Sequence, residues 1–319
     1  MSVYVTDYIS NFDVERQVLS GRITENKKDA QVLLVWHQKI DKEYLNQFPK
    51  LEGIVRYGVG FDVIDIDAVR ERNLVFCNTP DYGTDEVSDT AIAMIMNIIR
   101  GVTRYDHYCR DYADETWQEN TLTDLRRTNS LTLGVIGAGR IGGSIIRKAK
   151  AIGLNTLFFD PYIKRGYEKM LATGRVDSLP DLVKVSDIIS INTPLTKETI
   201  SMVDSDFING MKDGSAFINT SRGEIVSNLD IFIDPLKTGK ISGIGLDVLP
   251  KEPPADCKLI QAWKRREAWI SGRVIINPHT SYFSQESYKE MRIKAAMNAK
   301  RILDGVIPHN IIVSKKSNS

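Results

Sequence analysis

LTLGVIGAGRIGGSIIRKAKAIGLNTLFFDPY, residues 131–162, is the stretch of this 319-residue chain that decides its fold. An apolar run at residues 133–136 leads into the glycine pattern GAGRIG at residues 137–142. Apolar residues then recur at helical spacing, and a second apolar run at residues 156–159 ends at Asp160. The order strand, glycine turn, helix, strand and acid is typical of a βαβ unit that binds a dinucleotide.

Each part of the glycine turn has a separate expected role. Gly137 permits the tight turn, Gly139 lets backbone amides approach a pyrophosphate, and Gly142 lets the helix pack closely on the strand. The helix N-terminus then offers free N–H groups to the phosphates. Asp160 follows Gly142 by 18 residues and is placed to accept hydrogen bonds from ribose hydroxyls. Because its charge would repel a 2′-phosphate, the motif favours NAD(H) over NADP(H).

The composition is that of a globular enzyme. The 42 basic and 41 acidic residues leave a net charge of +1, which gives no indication of a nucleic-acid or membrane partner. Three scattered cysteines argue against a disulfide framework or a zinc site and favour a reducing compartment. No secretory leader and no membrane span is recognisable, so we expect a cytoplasmic protein without a metal site.

Apolar runs alternate with helical patterns along the rest of the chain, which predicts parallel α/β units. Strands are expected at residues 32–36, 53–57, 74–77, 188–192, 216–219, 244–248 and 274–276. Two long helical patterns run from Asp85 towards Tyr105 and from Glu286 to Leu303. We therefore predict two parallel-sheet α/β domains. A nucleotide domain at residues 99–283 is inserted into a smaller domain at residues 1–98 and 284–319.

Three polar residues follow three consecutive predicted strands after Asp160. Arg222 lies in NTSRG at residues 219–223, Glu252 in LDVLPKEP at residues 246–253, and His279 in NPH at residues 277–279. Singly, they are explained as a surface arginine, a solvated acid and a capping or core histidine. Together, at the strand ends where open α/β sheets bind ligands, they suggest a catalytic set.

Hydride delivery to a 2-keto acid needs these three groups. An arginine grips the substrate carboxylate and polarises the ketone, and an imidazolium protonates the oxygen as hydride reaches C2. A carboxylate against the other ring nitrogen holds the histidine in one tautomer. His37 lies in a strand-end loop of the first domain and is a further candidate for a substrate contact.

These motifs, in this order, resemble the D-isomer-specific 2-hydroxyacid dehydrogenase family. The similarity extends over nearly the whole chain, including GVGFDVIDIDAV at residues 58–69 and FCNTPDYGTDEVSDTA at residues 76–91. HTSYFSQES at residues 279–287 is similar to the C-terminal-binding-protein branch. The resemblance implies a split substrate domain, an inserted NAD domain and a homodimer built largely on the NAD domain.

The resemblance also implies site roles. Arg222 would orient the substrate, Glu252 would pair with the histidine, and His279 would act as general acid. The implied cofactor contacts are Arg140 and Ile141 at the pyrophosphate, Asp160 at the ribose, Thr193 and Pro194 at the adenine side, and Thr220, Ser221, Arg222, Asp247 and Ser88 at the nicotinamide half. Val59 and Gly60 resemble the turn whose amides take the substrate carboxylate.

Departures from the family pattern narrow the prediction. Glu252 stands where relatives acting on formate have glutamine, and Val59 where relatives acting on phosphite have lysine. Tyr282 replaces a tryptophan that lies near the substrate in the C-terminal-binding-protein branch, whose members are corepressors. The interval between Glu252 and His279 is longer than the family suggests and contains AWKRRE at residues 262–267, which we interpret as an amphipathic surface helix.

Two functions from different classes agree with the sequence. The first is an NAD(H)-dependent 2-keto acid reductase, or D-2-hydroxyacid dehydrogenase in reverse. The alternative is an NADH-sensing dimeric interaction protein with vestigial activity, as in the corepressor branch. That branch also keeps the arginine, glutamate and histidine, so these residues do not separate the two.

Overall fold

The computed structural model describes residues 2–7, 9, 11–111, 117 and 121–315. It divides into two compact units, Met1–Gly83 with Phe283–Ser319 and Thr84–Tyr282. The strands within the described residues are β1 Ser2–Val5, β2 Ala30–Val35, β3 Gly53–Arg56, β4 Val75–Cys77, β5 Thr132–Ile136, β6 Asn155–Phe159, β7 Gly174–Arg175, β8 Ile188–Ile191, β9 Ser215–Asn219, β10 Ile241–Leu246, β11 Val274–Ile276 and β12 Ile311–Val313.

The α-helices of the same residues alternate with the strands. They are α1 Asp13–Leu19, α2 Lys42–Leu45, α3 Ile66–Glu71, α4 Thr84–Arg100, α5 Val102–Asp111, α6 Arg140–Ala151, α7 Tyr167–Met170, α8 Leu179–Val185, α9 Ser205–Gly210, α10 Ile233–Thr238, α11 Lys258–Lys264 and α12 Gln285–Leu303. None of these described helices is both long and apolar enough to cross a membrane.

The first unit is built on a five-stranded sheet in the order β1-β2-β3-β4-β12, with only β12 antiparallel to its neighbour. Side chains alternate between the two faces of a strand. Val32 and Leu34 of β2 accordingly join the core beneath α1 and α12, whereas Leu33 and Val35 join the core on the α2 and α3 side. Both faces of β2 are therefore covered by apolar packing.

A buried ion pair ties α1 to α12 in the first unit. Arg292 donates to the Glu15 carboxylate through Nε at 2.9 Å and Nη2 at 2.6 Å, and Tyr57 Oη donates to it at 3.0 Å. Burial and the neighbouring Glu15 charge raise the pKa of Tyr57 well above its usual value, so the phenol stays protonated. The contact holds the chain just after β3 against both helices.

The second unit contains a seven-stranded, fully parallel sheet in the order β11-β10-β9-β8-β5-β6-β7. The chain starts at β5 in the interior, adds β6 and β7 on one side, and returns to add β8 on the other. This reversal is a topological switch point, where open α/β sheets bind ligands beyond the carboxyl ends of the strands. The glycine turn after β5 therefore lies at the expected place.

Helix α4 belongs to the second unit, because it packs against α6, β9 and β10. Gly243 and Gly245 of β10 permit this close approach, since a Cβ on either would lie 2.9 Å from Ile98 or Met94 of α4. The division between the units accordingly falls at Thr84 and not between residues 98 and 99. The second division, after Tyr282, lies beside the boundary expected between residues 283 and 284.

The helical pattern between Asp85 and Tyr105 is two helices and not one. Gly101 adopts φ 64° and ends α4 in a left-handed conformation, after which α5 begins at Val102. In α6, Ile145 and Ala149 are fully buried as the spacing predicts. Ile152, which the same pattern included, follows the helix and is 38% exposed.

Asp187 joins the amino ends of β5 and β8. Its carboxylate accepts hydrogen bonds from Thr132 N at 2.9 Å, Arg126 Nη1 at 2.8 Å and Lys212 Nζ at 3.2 Å. Burial would raise the pKa of Asp187, but these bonds and the Lys212 charge outweigh it and hold the pKa below the usual value. The ionised form is therefore favoured in the folded protein.

We expect Asp187→Asn to lower the free energy of unfolding by about 1–3 kcal/mol at neutral pH, because the charge of a buried hydrogen-bond acceptor is lost. The folded pKa lies below the unfolded one, so this stabilisation is complete above the unfolded value of about 4 and lost as pH falls through the folded one. Urea unfolding across this range should show the wild type and variant converging at acid pH.

Asp213→Asn is the matched control for Asp187→Asn. Asp213 also pairs with a lysine, at 2.9 Å from Lys240 Nζ, but its side chain is 89% exposed. An exposed ion pair of this kind contributes less than about 1 kcal/mol to the free energy of unfolding. If the two substitutions lowered the free energy of unfolding equally, Asp187 would contribute no more to stability than an exposed ion pair does.

Candidate active site

The glycine turn after β5 has the shape that a dinucleotide requires. Gly137 adopts φ 86°, and a Cβ on it would lie 2.7 Å from the carbonyl oxygen of Asn192 at the end of β8. A Cβ on Gly142 would overlap the carbonyl oxygen of Gly137, so glycine lets α6 approach the strand. Among the described residues other than its two chain neighbours, none has an atom within 4 Å of the position of a Cβ on Gly139, which leaves room for a bound group.

Asp160 closes the turn from the end of β6. Its Oδ2 accepts a hydrogen bond from Ala138 N at 3.0 Å, and its Oδ1 accepts from Tyr162 N at 2.9 Å and Ile163 N at 3.2 Å. Arg175 of β7 donates to the Asp160 carbonyl oxygen at 2.9 Å. The carboxylate is thus held rigidly beside the amino end of α6.

Buried oxygen atoms without a protein partner mark the neighbouring strand ends. Among the described residues, Asn192 Oδ1 and Thr193 Oγ1 after β8, and Thr220 Oγ1 after β9, are buried and form no hydrogen bond. An unpaired buried oxygen is unfavourable unless a ligand or water satisfies it. The atoms present at this sheet edge therefore fit a polar group such as a dinucleotide. Pro194, next in the chain, is exposed.

Arg222 follows β9 in a loop shaped by Asn219. The fully buried Asn219 accepts from Ser221 N and Ser221 Oγ, both at 3.0 Å, and donates through Nδ2 to the Arg222 carbonyl oxygen at 2.9 Å. The guanidinium Nη1 donates to the Ser221 carbonyl oxygen at 2.7 Å. The loop after β9 therefore contributes a hydrogen bond that orients the Arg222 guanidinium.

His279 and Glu252, which are 27 residues apart, form a pair. The distance between His279 Nδ1 and Glu252 Oε2 is 2.8 Å, while Glu252 Oε1 accepts from Leu249 N at 2.9 Å. An ionised carboxylate only accepts hydrogen bonds, so Nδ1 carries a proton. Among the described residues, Nε2 forms no hydrogen bond, and this nitrogen is the one left for a substrate.

The charge on Glu252 is favoured by its surroundings. Burial alone would raise its pKa. The hydrogen bonds from His279 and Leu249, with the electrostatic effect of His279 and the charge of Arg222, outweigh burial and lower the pKa of Glu252 below the usual value. The charge of Arg222 therefore favours ionised Glu252, and all three residues follow strands at the carboxyl edge of the sheet.

Asp247, at the end of β10, fastens the loop that carries His279. Its carbonyl oxygen accepts from His279 N at 2.8 Å, and its Oδ1 accepts from Thr280 N and Ser281 N, each at 3.0 Å. Oδ2 accepts from Ser281 Oγ. The resemblance implies that Asp247 lies along the nicotinamide half, and its buried carboxylate accepts three hydrogen bonds from the loop of His279.

The turn at Val59 and Gly60 belongs to the first unit. Asn78 Nδ2 donates to the Val59 carbonyl oxygen at 2.7 Å, and Thr79 N donates to the Gly58 carbonyl oxygen at 3.0 Å. In a trans peptide, the N–H points opposite to the C=O. The amides of Val59 and Gly60 are therefore directed away from Asn78 and Thr79. Within the described residues, neither amide forms a hydrogen bond, so the turn offers two free donors.

The remaining predicted site residues differ in their surroundings. His37 exposes 74% of its side chain and stacks on Trp36, with ring centroids 5.0 Å apart. Tyr282 is half-buried at the end of the second unit. Ser88 is fully buried between α4 and α6, where its hydroxyl is bonded to Ser144 Oγ at 3.1 Å and Lys148 Nζ at 2.7 Å.

The AWKRRE segment at residues 262–267 is helical only in its first half. Helix α11 buries Leu259, Ile260 and Ala262 and ends at Lys264. The next two residues form a turn in which Arg266 adopts φ 54°. The predicted amphipathic helix is therefore confirmed up to Lys264, and the exposed basic residues cap its end.

Four polar residues at strand ends, two in each unit, were not assigned roles from the sequence. They are Asn78, Thr79, Asn192 and Asn219. Each lies at a strand end or within two residues after it, in a quoted or predicted segment, so a systematic inspection of strand ends would have found them. Their partners lie in neighbouring loops, and the sequence contains no direct signal of those contacts.

Comparison with known proteins identifies related chains. The model of the D-isomer specific 2-hydroxyacid dehydrogenase NAD-binding domain matches residues 92–281. A glyoxylate reductase of Thermococcus litoralis is 33% identical over 301 residues, which cover 93% of this chain and 86% of that protein. A glyoxylate reductase of Korarchaeum cryptofilum is 32% identical over 292 residues, covering 91% and 85%.

A solved structure matches the whole chain. It is the D-lactate dehydrogenase of Aquifex aeolicus complexed with NAD and lactic acid, with a TM-score of 0.85 and 28% identity. The match covers 99% of this chain and 100% of that one. Both parallel-sheet α/β domains predicted from the sequence are therefore confirmed as the fold of this group.

The fold and the glycine-turn site define a dinucleotide-dependent oxidoreductase. The family model covers more than half of the chain, and relatives above 30% identity align over nine-tenths of it. The chain belongs to the D-isomer-specific 2-hydroxyacid dehydrogenase family and is an NAD-dependent enzyme of that family.

Proposed function

We propose that this protein reduces a small 2-keto acid with NADH, and in reverse oxidises the corresponding D-2-hydroxy acid. The observation that carries the proposal is the Glu252–His279 pair beside Arg222, on the sheet edge that also bears the glycine turn. The relatives named as glyoxylate reductases and the D-lactate dehydrogenase with its bound acid support this substrate class.

The residues of the second unit have distinct proposed roles. NADH supplies the hydride when it is bound. The Arg222 guanidinium holds the substrate carboxylate and polarises the keto oxygen, and His279 gives its Nε2 proton to that oxygen. Glu252 accepts a hydrogen bond from the Nδ1–H of His279 and stabilises the charged ring. Nε2 is therefore the nitrogen that exchanges a proton with the substrate.

The first unit is proposed to bind substrate. The free amides of Val59 and Gly60 are suited to a carboxylate, because two successive N–H groups form an anion-binding turn. His37 is a further proposed contact. The chain keeps glutamate at residue 252 and valine at residue 59, so formate and phosphite are not proposed as substrates. From the family resemblance, the protein is also proposed to be a cytoplasmic homodimer. The same resemblance supports its assignment to the C-terminal-binding-protein branch.

The test is loss of NADH absorbance with purified protein and a panel of 2-keto acids. The panel runs from glyoxylate, hydroxypyruvate and pyruvate to branched, aromatic and dicarboxylic members. Fast turnover of at least one member is the expected result. Slow, indiscriminate turnover beside tight NADH binding would overturn the proposal in favour of an NADH-sensing interaction protein. An NADH-dependent shift on a sizing column would then be the next measurement.

Asp160 should set the cofactor preference. We expect Asp160→Asn to lower the ratio of the NADPH dissociation constant to the NADH dissociation constant by at least about tenfold. The reason is that the carboxylate no longer repels a 2′-phosphate. Asparagine keeps a hydrogen-bond acceptor for the turn, whereas Asp160→Ala should also weaken NADH. Dissociation constants from nucleotide fluorescence measure both effects.

Asp177→Asn is the control for the cofactor prediction. Asp177 pairs with Arg165 at 3.1 Å, its side chain is 68% exposed, and it follows β7 near the same sheet edge. This substitution should leave the NADH to NADPH ratio unchanged. An unchanged ratio in Asp160→Asn as well would remove Asp160 from the ribose site.

A further inference from the structure

We propose that Arg175 is a positioning residue that holds Asp160 in the orientation in which its carboxylate binds the cofactor ribose. The affinity for NADH then depends on Arg175 as well as on Asp160. The inference rests on the proposed function, because Asp160 is the residue proposed to select NADH at the ribose. Arg175 lies on β7, the edge strand beside β6, and no sequence motif indicated a role for it.

The two ends of the loop that follows β6 are held by one guanidinium. Arg175 Nη2 donates to the Asp160 carbonyl oxygen at 2.9 Å, and Nη1 donates to the Ile163 carbonyl oxygen at 2.8 Å. Between these two carbonyl groups, Asp160 Oδ1 accepts hydrogen bonds from the amides of Tyr162 and Ile163. The loop is therefore closed on one side by its own carboxylate and on the other by the planar fork of Arg175.

An ion pair does not explain the position of the Arg175 side chain. Only 13% of that side chain is exposed, and within the described residues its contact with a carboxylate is a 3.9 Å approach of Nε to Asp177 Oδ1, too far for a hydrogen bond. The guanidinium carbon lies 5.9 Å from the centroid of the Phe158 ring. A buried cation is unfavourable unless it is hydrogen-bonded, and here the bonds go to the backbone of the loop. The geometry fits a group that fixes a backbone conformation.

Asp160 depends on that conformation because it also contacts the glycine turn. Its Oδ2 accepts a hydrogen bond from Ala138 N at 3.0 Å, so the carboxylate lies between the loop after β6 and the turn after β5. A binding group that is already in place loses less free energy to ordering when a ligand binds. Without the guanidinium, the carbonyl groups of Asp160 and Ile163 lose these donors, and their peptide planes are free to rotate. The carboxylate would then move relative to the turn, and the affinity for the ribose would fall.

Arg175→Met tests the role of the guanidinium. Methionine keeps an apolar stem but removes both hydrogen bonds to the loop, so we expect the NADH dissociation constant to rise about tenfold. Arg175→Lys keeps the charge without the planar fork and should give a rise of about threefold. Fluorescence titration with NADH measures both values. An unchanged NADH affinity in Arg175→Met would overturn the proposal. If that variant failed to fold, wild-type affinity in Arg175→Lys would overturn it.

A double-mutant cycle with Asp160→Ala separates positioning from a general loosening of the sheet edge. If Arg175 acts through Asp160, Arg175→Met should raise the NADH dissociation constant by less than about twofold in the Asp160→Ala protein, because coupled residues are not additive. A rise of the same size in both backgrounds would refute the positioning role. Arg175 would then act on the cofactor or on the fold independently of Asp160.

ADP-ribose shows which half of the cofactor is affected. It contains the adenosine ribose and lacks the nicotinamide, and calorimetry measures its binding. In Arg175→Met, its dissociation constant should rise by the same factor as that of NADH. A clearly smaller factor for ADP-ribose would place the effect on the nicotinamide half and would contradict the proposal.

Arg165→Met is the matched control for Arg175→Met. Arg165 lies in the same segment between β6 and β7, pairs with Asp177 at 3.1 Å and exposes 77% of its side chain. Its loss should leave the NADH dissociation constant unchanged, and a loss of affinity equal to that of Arg175→Met would show that net charge alone is responsible. These measurements require no turnover. If the wild type reduced no 2-keto acid while the expected binding pattern held, the proposed function would fail and the positioning role would stand.

Discussion

His279→Ala is expected to lower kcat for 2-keto acid reduction by roughly 10²–10⁴-fold, the usual contribution of a general acid. NADH affinity should change little, because the ring is directed to Glu252 and not to the glycine turn. Steady-state rates at saturating NADH measure the first effect, and fluorescence titration with NADH measures the second.

His309→Ala is the matched control for His279→Ala. The hydrogen bonds that link His309 to Asn298 are made by its backbone, so loss of the ring should leave kcat unchanged. A His279→Ala enzyme that kept most of its turnover would remove His279 from the role of general acid. Glu252→Gln should show an intermediate loss, since the amide keeps an acceptor for Nδ1–H but loses the charge.

Arg222→Ala should lower kcat/KM for the 2-keto acid by a comparable factor, roughly 10²–10⁴-fold. A bidentate guanidinium makes two charge-assisted hydrogen bonds to a carboxylate, each contributing about 1.5–3 kcal/mol. Arg222→Lys should recover only part of the loss, because an ammonium lacks the planar fork. Initial rates over a range of keto acid concentrations give the values.

Arg265→Ala is the control for Arg222→Ala. Arg265 is an exposed residue after α11, and its charged contact is a 4.0 Å approach to Glu267. Its loss should leave kcat/KM unchanged. If Arg222→Lys had the same kcat/KM as the wild type, a positive charge would be sufficient at this position. The proposal of a bidentate hydrogen bond would then be wrong. Partial rescue of Arg222→Ala by added guanidinium ion would support the proposed contact.

Much of the second unit could be predicted because its signals are local. The strand, glycine turn and helix at residues 132–151 are encoded within a few neighbouring residues, and β8, β9, β10 and β11 were expected within a few residues of their observed bounds. Gly137 and Gly142 were assigned for steric reasons that the structure reproduces. The break at Gly101 was missed, because apolar spacing continues across it while the left-handed glycine interrupts the helix.

The pairing within the candidate site could be expected only in outline. Parallel strands bring their carboxyl ends to one edge, so Arg222, Glu252 and His279 were predicted to lie near one another. The hydrogen bonds between Asp247 and Ser281 were not expected. The hydrogen bonds from Asn78 and Thr79 to the turn at residues 58–60 were not expected either. These contacts depend on loop conformations that no periodic pattern encodes.

By itself, the sequence determined the family, the α/β architecture, the cofactor class and the residue types at the strand ends. Those properties follow from short-range spacing, from the steric freedom of glycine and from the alternation of strands and helices. Only the tertiary structure decided which nitrogen of His279 is left for a substrate, which carboxylate is buried, and to which unit α4 belongs. Such properties depend on contacts between distant segments, where shifts below 1 Å make or break a hydrogen bond.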